Sequence, residues 1–362
     1  MESIIQPQID IRPLLPNYVP EELIGRTDEI DFLENEIQNF MKHGACTNIH
    51  IDGVTGSGKT ATLKYFEKKY PSLLKYVNCM GLTREKEFLS TISDTKPRTT
   101  TEAIQKAIDY FTEHRNILVI DEIDKIADTQ TWNIINHIYR ETAIPIFIIS
   151  NRKDIDKTIP EDAHKTLLFH KVYFDSYNIE TITEILQQRL NLSRFYFEDG
   201  CEVNILGVIA HHAYESGSAR TALDILRFIV LDANTTPTTK DIKNYNDRLT
   251  MHDLTSQLRR LKPIEQRLLY VIALTQQKRS KNKYLTTGSL QDMYESRFQT
   301  ISRGHFSTVL NNLNNYWNLD ITMFKSKLPQ GPGQTTQVVL NPSFADQLLQ
   351  ALSQINDEFK EC

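Results

Sequence analysis

Short, largely apolar runs alternate in the first half of the chain with longer segments whose apolar residues recur at every third or fourth position. The runs at residues 48–51, 75–79, 117–120, 144–149 and 171–174 are typical of β-strands. The run at 117–120 is apolar throughout, as in a strand buried on both faces of a parallel sheet. The spacing of Ile30, Leu33 and Ile37 predicts an amphipathic helix, and residues 83–115 predict further helix with a break near 93–98. The pattern therefore predicts an α/β fold with a three-layer parallel sheet.

From residue 178 to about residue 249 the strand pattern stops and only helical spacing remains. One apolar stripe consists of Ile179, Ile182, Ile185, Leu186 and Leu190, and a second consists of Leu223, Leu226, Ile229 and Val230. A polar stretch at 234–239 predicts a linker between helices. This segment predicts a helical domain after the sheet.

The C-terminal part of the chain predicts three helices followed by a hairpin. In the third helix, the predicted core face consists of Phe306, Val309, Leu310, Leu313 and Trp317. The candidate DNA contacts on its other faces are Arg303, Thr308, Asn311 and Asn312. A helix that presents Asn, Arg and Thr after a short turn is typical of a recognition helix, because Asn can pair with adenine and Arg with guanine in the major groove.

The predicted hairpin has strands at 321–325 and 336–340, with Gly331 and Gly333 near its tip. Such a tip is suited to enter a minor groove, so both glycines are candidate DNA contacts. Together, the helices and the hairpin predict a winged helix. The alternative is a winged helix that contacts a protein partner, with its Asn-rich face merely solvated.

The distribution of charge favours DNA. The whole chain has a formal net charge of −5, yet residues 261–350 contain ten Lys and Arg against five Asp and Glu. A basic module on an acidic body is typical of a separate polyanion-binding domain.

The composition also predicts where the protein works. No apolar run approaches the length of a membrane span, and the N-terminus lacks the pattern of a signal peptide. The four cysteines lie far apart and make no metal spacing. We expect a cytoplasmic, nucleoid-associated protein with no membrane partner.

The strongest chemical motif is the glycine-rich segment at residues 53–60, which fits G-x-x-x-x-G-K-[ST]. Because it lies between a predicted strand and a predicted helix, we interpret it as a phosphate-binding loop and not as an ordinary glycine-rich turn. Lys59 would reach the β- and γ-phosphates, and Thr60 would hold Mg²⁺. The candidate ligands of ATP or ADP in this segment are Gly53, Thr55, Gly56, Ser57, Gly58, Lys59, Thr60 and Ala61.

Polar residues follow two other predicted strands and open a later helix. Asp121 would bind Mg²⁺ and Glu122 would orient or deprotonate the attacking water, unless this is only an acidic helix N-terminus. Asn151 follows the strand at 144–149, where its amide would contact the γ-phosphate or the water; the alternative is a turn residue. Arg220 would reach back to the γ-phosphate from the start of its helix, and the alternative is an arginine on a solvated face.

With these residues assembled, the chain resembles the archaeal origin-recognition initiators, which are related to the eukaryotic origin recognition complex subunit one and to cell-division-cycle protein six. The resemblance covers residues 12–345 and rests most specifically on the runs at 15–23 and 217–224. It implies an AAA+ ATPase with a C-terminal winged helix. The implied domains are a nucleotide-binding base at 1–177, a helical lid at 178–252 and a winged-helix DNA-binding domain at 253–362.

The resemblance also implies roles that spacing does not. Val19 and Pro20 would line the adenine with Tyr177 nearby, Asn151 would be the first sensor and Arg220 the second. The implied function is that of an ATP-dependent replication initiator that binds double-stranded origin DNA and helps recruit the replicative MCM helicase. Other initiator subunits are further expected partners, and slow ATP hydrolysis would act as a switch.

Two other functions stay open at this point. One is an ATP-gated winged-helix transcription regulator, in which the nucleotide domain controls DNA binding at promoters. The other is a diverged initiator paralogue that binds DNA without loading helicase. Direct binding to helicase subunits distinguishes the origin function from the transcription regulator.

Overall fold

A computed structural model of the chain describes residues 9–82, 84–152, 154–197, 202–214, 218–232, 237–277, 285–315, 321–327, 334–340 and 342–359. The chain divides into two units, Met1–Asn246 and Asp247–Cys362. Within the described ranges, no helix is both long enough and apolar enough to cross a bilayer.

The first unit is organised around a five-stranded parallel sheet with the strand order β2-β3-β4-β1-β5. Its strands are β1 (Ile49–Gly53), β2 (Leu74–Asn78), β3 (Ile117–Asp121), β4 (Ile146–Ile149) and β5 (His170–Phe174). They confirm the five strands predicted from the apolar runs. Because β3, β4 and β1 are parallel neighbours, the segments that follow them meet at one edge of the sheet.

Helices cover both faces of this sheet, as the continuous burial of β3 requires. On β3, Val119 belongs to the core shared with the first two helices, and Leu118 and Ile120 belong to the core on the other face. Burial of each such side chain stabilises the fold by about 1.5–3 kcal/mol. The helices are α1 (Thr27–His43), α2 (Lys59–Lys69), α3 (Glu85–Ser93), α4 (Thr100–His114), α5 (Thr129–Thr142) and α6 (Glu161–Leu167). The predicted three-layer architecture is therefore confirmed.

A helical bundle follows the sheet, as predicted. Its helices are α7 (Ile179–Ser193), α8 (Glu202–Tyr214) and α9 (Ala219–Leu231), and α10 (Thr239–Leu258) follows them. The N-terminal segment contacts α7 and α9 through a short 3-10 helix, Arg12–Leu14. Pro13 and Leu14 of this short helix are buried.

The second unit is a winged helix, which confirms the predicted helices and hairpin. Its elements are α11 (Pro263–Gln277), β6 (Leu285–Thr286), α12 (Thr287–Arg297), α13 (Arg303–Asn315), β7 (Ile321–Lys327), β8 (Gln334–Leu340) and α14 (Pro342–Ile355). The antiparallel sheet has the order β6-β8-β7. The pattern missed β6 and also α14, whose Leu348 and Leu352 are fully buried in the core of this unit. Trp317, predicted to face that core, lies outside the described residues.

Candidate nucleotide site and DNA-binding face

The predicted phosphate loop joins β1 to α2. Its glycines have positive φ angles, +143° at Gly53, +82° at Gly56 and +96° at Gly58, which L side chains rarely adopt. Space is restricted as well. A Cβ at Gly56 would lie 2.1 Å from Ser218 Oγ, and a Cβ at Gly58 would lie 2.3 Å from the Tyr177 hydroxyl. The backbone of the loop is therefore packed closely against residues from the helical bundle and from the segment that leads to it.

Lys59 is buried at the start of α2. Its Nζ donates hydrogen bonds to the carbonyl oxygens of Gly53 at 2.7 Å and Val54 at 2.8 Å. Burial lowers the pKa of Lys59 to about 8, although the carboxylates of Asp52 and Asp121 oppose the shift. The ammonium group is thus held at the loop by two of its carbonyls. The other predicted ligands in the loop and the first helical turn are the exposed Thr55, the buried Ser57 and the half-buried Ala61.

Asp121, the last residue of β3, is hydrogen-bonded to the first turn of α2. Its Oδ2 accepts hydrogen bonds from the Thr60 hydroxyl at 2.9 Å and from the Tyr76 hydroxyl. Its Oδ1 is buried and has no hydrogen-bond partner within the described part of the chain. Hydroxyl and carboxylate oxygens are the ligands that Mg²⁺ prefers, so Thr60 and Asp121 fit the predicted magnesium site. Burial and the Asp121 carboxylate raise the pKa of Tyr76 far above its ordinary value, which keeps its hydroxyl protonated.

Glu122 and Asn151 lie after the adjacent strands β3 and β4. Glu122 is half-buried with a φ of +54°, a conformation that costs a non-glycine residue about 1–2 kcal/mol and is concentrated at functional sites. Burial raises the pKa of Glu122. The Asn151 backbone N–H donates to Asp124 Oδ1 at 3.3 Å, and the Ser150 hydroxyl donates to the same oxygen at 3.4 Å. Asp124, to which sequence reasoning assigned no role, therefore links the two strand ends.

The helix α9 begins against the phosphate loop. Ser218 caps this helix through its hydroxyl and is the residue that faces Gly56. Arg220, two residues further on, is exposed, and its positive charge acts to lower the pKa of both Lys59 and Glu122. Because Arg220 is two residues after Ser218, it lies at the end of α9 that faces the phosphate loop, and its role as a sensor stays a prediction.

The residues predicted to line the adenine occupy two places. Tyr177 is buried beside the phosphate loop. On the N-terminal segment, Val19 is half-buried and Pro20 is buried. The bundle holds this segment through Arg189 of α7, whose guanidinium donates to the carbonyl oxygen of Tyr18 at 3.2 Å and lies 5.0 Å from the centroid of its ring. No pattern in the sequence distinguishes Arg189 from other arginines on helices.

Arg26 is the second buried arginine that sequence reasoning missed. Its Nε donates to the carbonyl oxygen of Ser57 in the phosphate loop at 2.9 Å, and its terminal nitrogens donate to Glu29 at 3.0 Å and to the carbonyl oxygen of Asp175. Its guanidinium also lies 4.1 Å from the centroid of the Tyr177 ring. Arg26 therefore connects the loop to the segment between β5 and α7. The only hint of this role in the sequence is Glu29, three residues after Arg26. Ordinary ion pairs on helices have the same spacing, so it does not single out Arg26.

The predicted DNA contacts belong to α13 and to the wing. Those exposed on α13 are Arg303, Thr308 and Asn311. Asn312 is half-buried, and its Nδ2 donates to the buried Glu265 at 3.4 Å, so this side chain is engaged within its own unit. Gly331 and Gly333 lie outside the described residues. The exposed face of α13 is thus polar and carries one arginine among the predicted contacts.

Comparison with known proteins identifies an AAA domain at residues 42–159. Over 311 residues the chain is 26% identical to ORC1-type DNA replication protein 1 of Methanosarcina mazei, a match that covers 78% of this chain and 74% of that relative. The chain is therefore similar to archaeal ORC1-type replication proteins over most of its length, and the resemblance indicated by its sequence is confirmed.

Two solved structures have a similar fold. Orc1 of Aeropyrum pernix, solved in complex with DNA, matches with a TM-score of 0.75 at 19% identity, covering 97% of this chain and 98% of that one. Orc2 of the same organism, solved in ADPNP–ADP complexes, matches with a TM-score of 0.60 at 17% identity, covering 95% and 97%. These matches support the predicted AAA+ and winged-helix architecture.

Proposed function

We propose that the protein is an ATP-dependent DNA replication initiator that binds double-stranded origin DNA and helps recruit the replicative MCM helicase. The observation that carries the proposal is the cleft in which the phosphate loop meets the start of α9. A phosphate bound at the loop would lie near Arg220, because Arg220 comes two residues after Ser218, whose hydroxyl faces Gly56 of the loop. A γ-phosphate would therefore bias the position of the lid. Similarity to ORC1-type replication proteins supports the biological role.

In this proposal the cleft binds ATP or ADP with Mg²⁺. The backbone N–H groups of the loop and Lys59 hold the phosphates, and Thr60 and Asp121 hold Mg²⁺, which neutralises charge on the phosphates when bound. Glu122 orients the attacking water and accepts its proton. The two predicted sensors contact the γ-phosphate. Slow hydrolysis is expected, since the nucleotide acts as a switch between lid positions.

Substitution of Lys59 tests the nucleotide site. Lys59→Ala should abolish binding of fluorescent ADP, because it removes the ammonium group held inside the loop. Lys68→Ala is the matched control, since Lys68 also lies on α2 but is exposed. If Lys59→Ala binds as tightly as Lys68→Ala, the assignment of the phosphate loop is wrong.

In this proposal, nucleotide binding and DNA binding are assigned to different expected domains. The base at 1–177 and the lid at 178–252 would enclose the nucleotide, and the winged helix at 253–362 would bind DNA. Arg303, Thr308 and Asn311 would contact DNA directly. Asn312 would have to leave Glu265 to do so. A DNA-binding role is supported by the similar fold of Aeropyrum pernix Orc1, which was solved in complex with DNA.

Alanine variants on α13 test the DNA-binding face. Arg303→Ala should weaken binding and reduce its salt dependence, and Asn311→Ala should cost about 1–3 kcal/mol at the preferred site only. His305→Ala is the control, because His305 is also exposed on α13 but is not a proposed contact. If fluorescence anisotropy gives the same DNA affinity for all three variants and the parent, this face of α13 does not bind DNA.

Helicase binding separates the origin function from transcription control. We expect the purified protein to bind MCM subunits directly. A protein that binds only promoter DNA and changes transcript levels on deletion would be a transcription regulator. A protein that binds origin DNA without binding MCM would be a paralogue that does not load helicase.

A further inference from the structure

The Tyr76 hydroxyl contacts the same carboxylate oxygen as the phosphate loop does. Tyr76 lies on β2, and the neighbouring β3 ends in Asp121, which is paired in register with Asn78. The Tyr76 hydroxyl donates to Asp121 Oδ2, which also accepts from Thr60 Oγ1 at 2.9 Å. Tyr76 was not assigned a role from the sequence, and nothing in the proposed hydrolysis uses it.

Both hydroxyl groups donate to the same one of the two Asp121 carboxylate oxygens. Both hydrogen bonds fall on Oδ2 of Asp121, whereas Oδ1 is buried without a partner among the residues described. Hydrogen bonds to a charged acceptor are stronger than those between neutral groups. Turning the carboxylate plane away from the two donors would break both bonds, so the donors fix the orientation of the carboxylate and leave one oxygen to accept a further ligand.

The helix that starts at the phosphate loop also contacts the Tyr76 ring. Lys64 Nζ on α2 lies 5.4 Å from the ring centroid, and the ring packs on the core that contains Leu63 and Val119. The hydroxyl of Tyr76 is thus supported by the same helix that carries Thr60. Tyr76, Thr60 and Asp121 form one connected group at the edge of the sheet.

We infer that Tyr76 is a positioning residue for the magnesium ion of the bound nucleotide: it holds Asp121 so that Oδ1 remains available to the metal or its water. The inference rests on the proposed binding of ATP or ADP with Mg²⁺. Groups that orient metal ligands in this way typically change metal affinity tenfold or more when they are removed.

The test is a magnesium titration of fluorescent ADP binding. Tyr76→Phe keeps the ring and removes only the hydroxyl. We expect the Mg²⁺ concentration at half-saturation to rise about tenfold, while ADP affinity in EDTA stays at the parent's value. The signal in EDTA also measures the folded fraction, so a partly destabilised variant still reports its magnesium requirement.

Tyr70→Phe is the matched control, because the Tyr70 hydroxyl also donates to a carboxylate, that of Glu34, at 2.5 Å near the other end of α2. Its magnesium requirement should equal the parent's. If Tyr76→Phe needs the same Mg²⁺ concentration for half-saturation as the parent, or if this concentration rises equally in both variants, the inference is wrong and the proposed function is unaffected. A parent that binds ADP neither with nor without Mg²⁺ would overturn both.

Discussion

Replacement of Arg26 by methionine should destabilise the first unit far more than the loss of an ordinary ion pair. Methionine keeps an unbranched, flexible side chain but removes every donor. The carbonyl oxygens of Ser57 and Asp175 would then lose the hydrogen-bond donor that the Arg26 guanidinium provides. Because Arg26 itself is 5% exposed, little water is available to replace it.

The magnitude follows from the contacts that are lost. A buried acceptor left without a donor costs about 1–3 kcal/mol. The Ser57 carbonyl is buried and the Asp175 carbonyl is part-buried, so losing their donor together with the cation–π contact over Tyr177 gives a destabilisation of about 4 kcal/mol. Loss of the ion pair with Glu29, whose side chain is 19% exposed, would add to this destabilisation. In a unit of this size we expect the Tm to fall by about 8–16 °C.

Thermal unfolding of the nucleotide-free protein measures this effect. Arg152→Met is the matched control, because Arg152 pairs with Asp154 at 2.6 Å where both side chains are nearly half exposed. Such an ion pair contributes about 0–1 kcal/mol. If Arg26→Met melts within about 3 °C of Arg152→Met, Arg26 does not anchor the loop as argued.

Three further predictions concern the cleft and the sheet. Glu122→Gln should keep ADP affinity but slow ATP hydrolysis about a hundredfold or more, and an unchanged turnover rate would contradict the role of Glu122. Gly56→Ala should weaken ADP binding about tenfold or more because its Cβ would meet the start of α9 at 2.1 Å; Gly81→Ala, which has a similar φ but no atom within 4 Å of its Cβ, should bind like the parent. Burial lowers the pKa of His50, so the unfolded chain binds a proton near pH 6.5 that the folded protein does not, and stability should fall as the pH drops below about 6.5. Denaturant titrations at several pH values measure the free energy of unfolding, which should fall less at low pH in His50→Gln than in the parent. The same pH dependence of stability in parent and variant would contradict the role of His50.

The strands and the phosphate loop were predictable because their signals are local. A run such as 117–120 is fully apolar, and the loop motif fixes Lys59 and Thr60 by spacing. Parallel pairing then placed Asp121 and Asn151 at one sheet edge. The missed β6 is only two residues long, which is too short for a period to appear.

The supporting residues of the site were not predictable because their partners are distant in sequence. Arg26 contacts the carbonyl oxygen of Asp175, and Arg189 contacts that of Tyr18. Tyr76 was part of an apolar run, so its pattern predicted only a strand position. Asn312 was predicted to face outward, but its side-chain amide donates a hydrogen bond to the buried Glu265 instead. Such contacts depend on how segments pack, which local periodicity does not encode.

Selection of bound fragments from sheared genomic DNA, at one fixed salt concentration, tests the central claim most directly. The selection is made once with ATP and once with ADP. We predict enrichment of one or a few repeated sites beside a replication start, with different enrichment in the two nucleotides. Broad binding with no enriched site, or enriched promoters with no nucleotide effect, would contradict an ATP-dependent initiator.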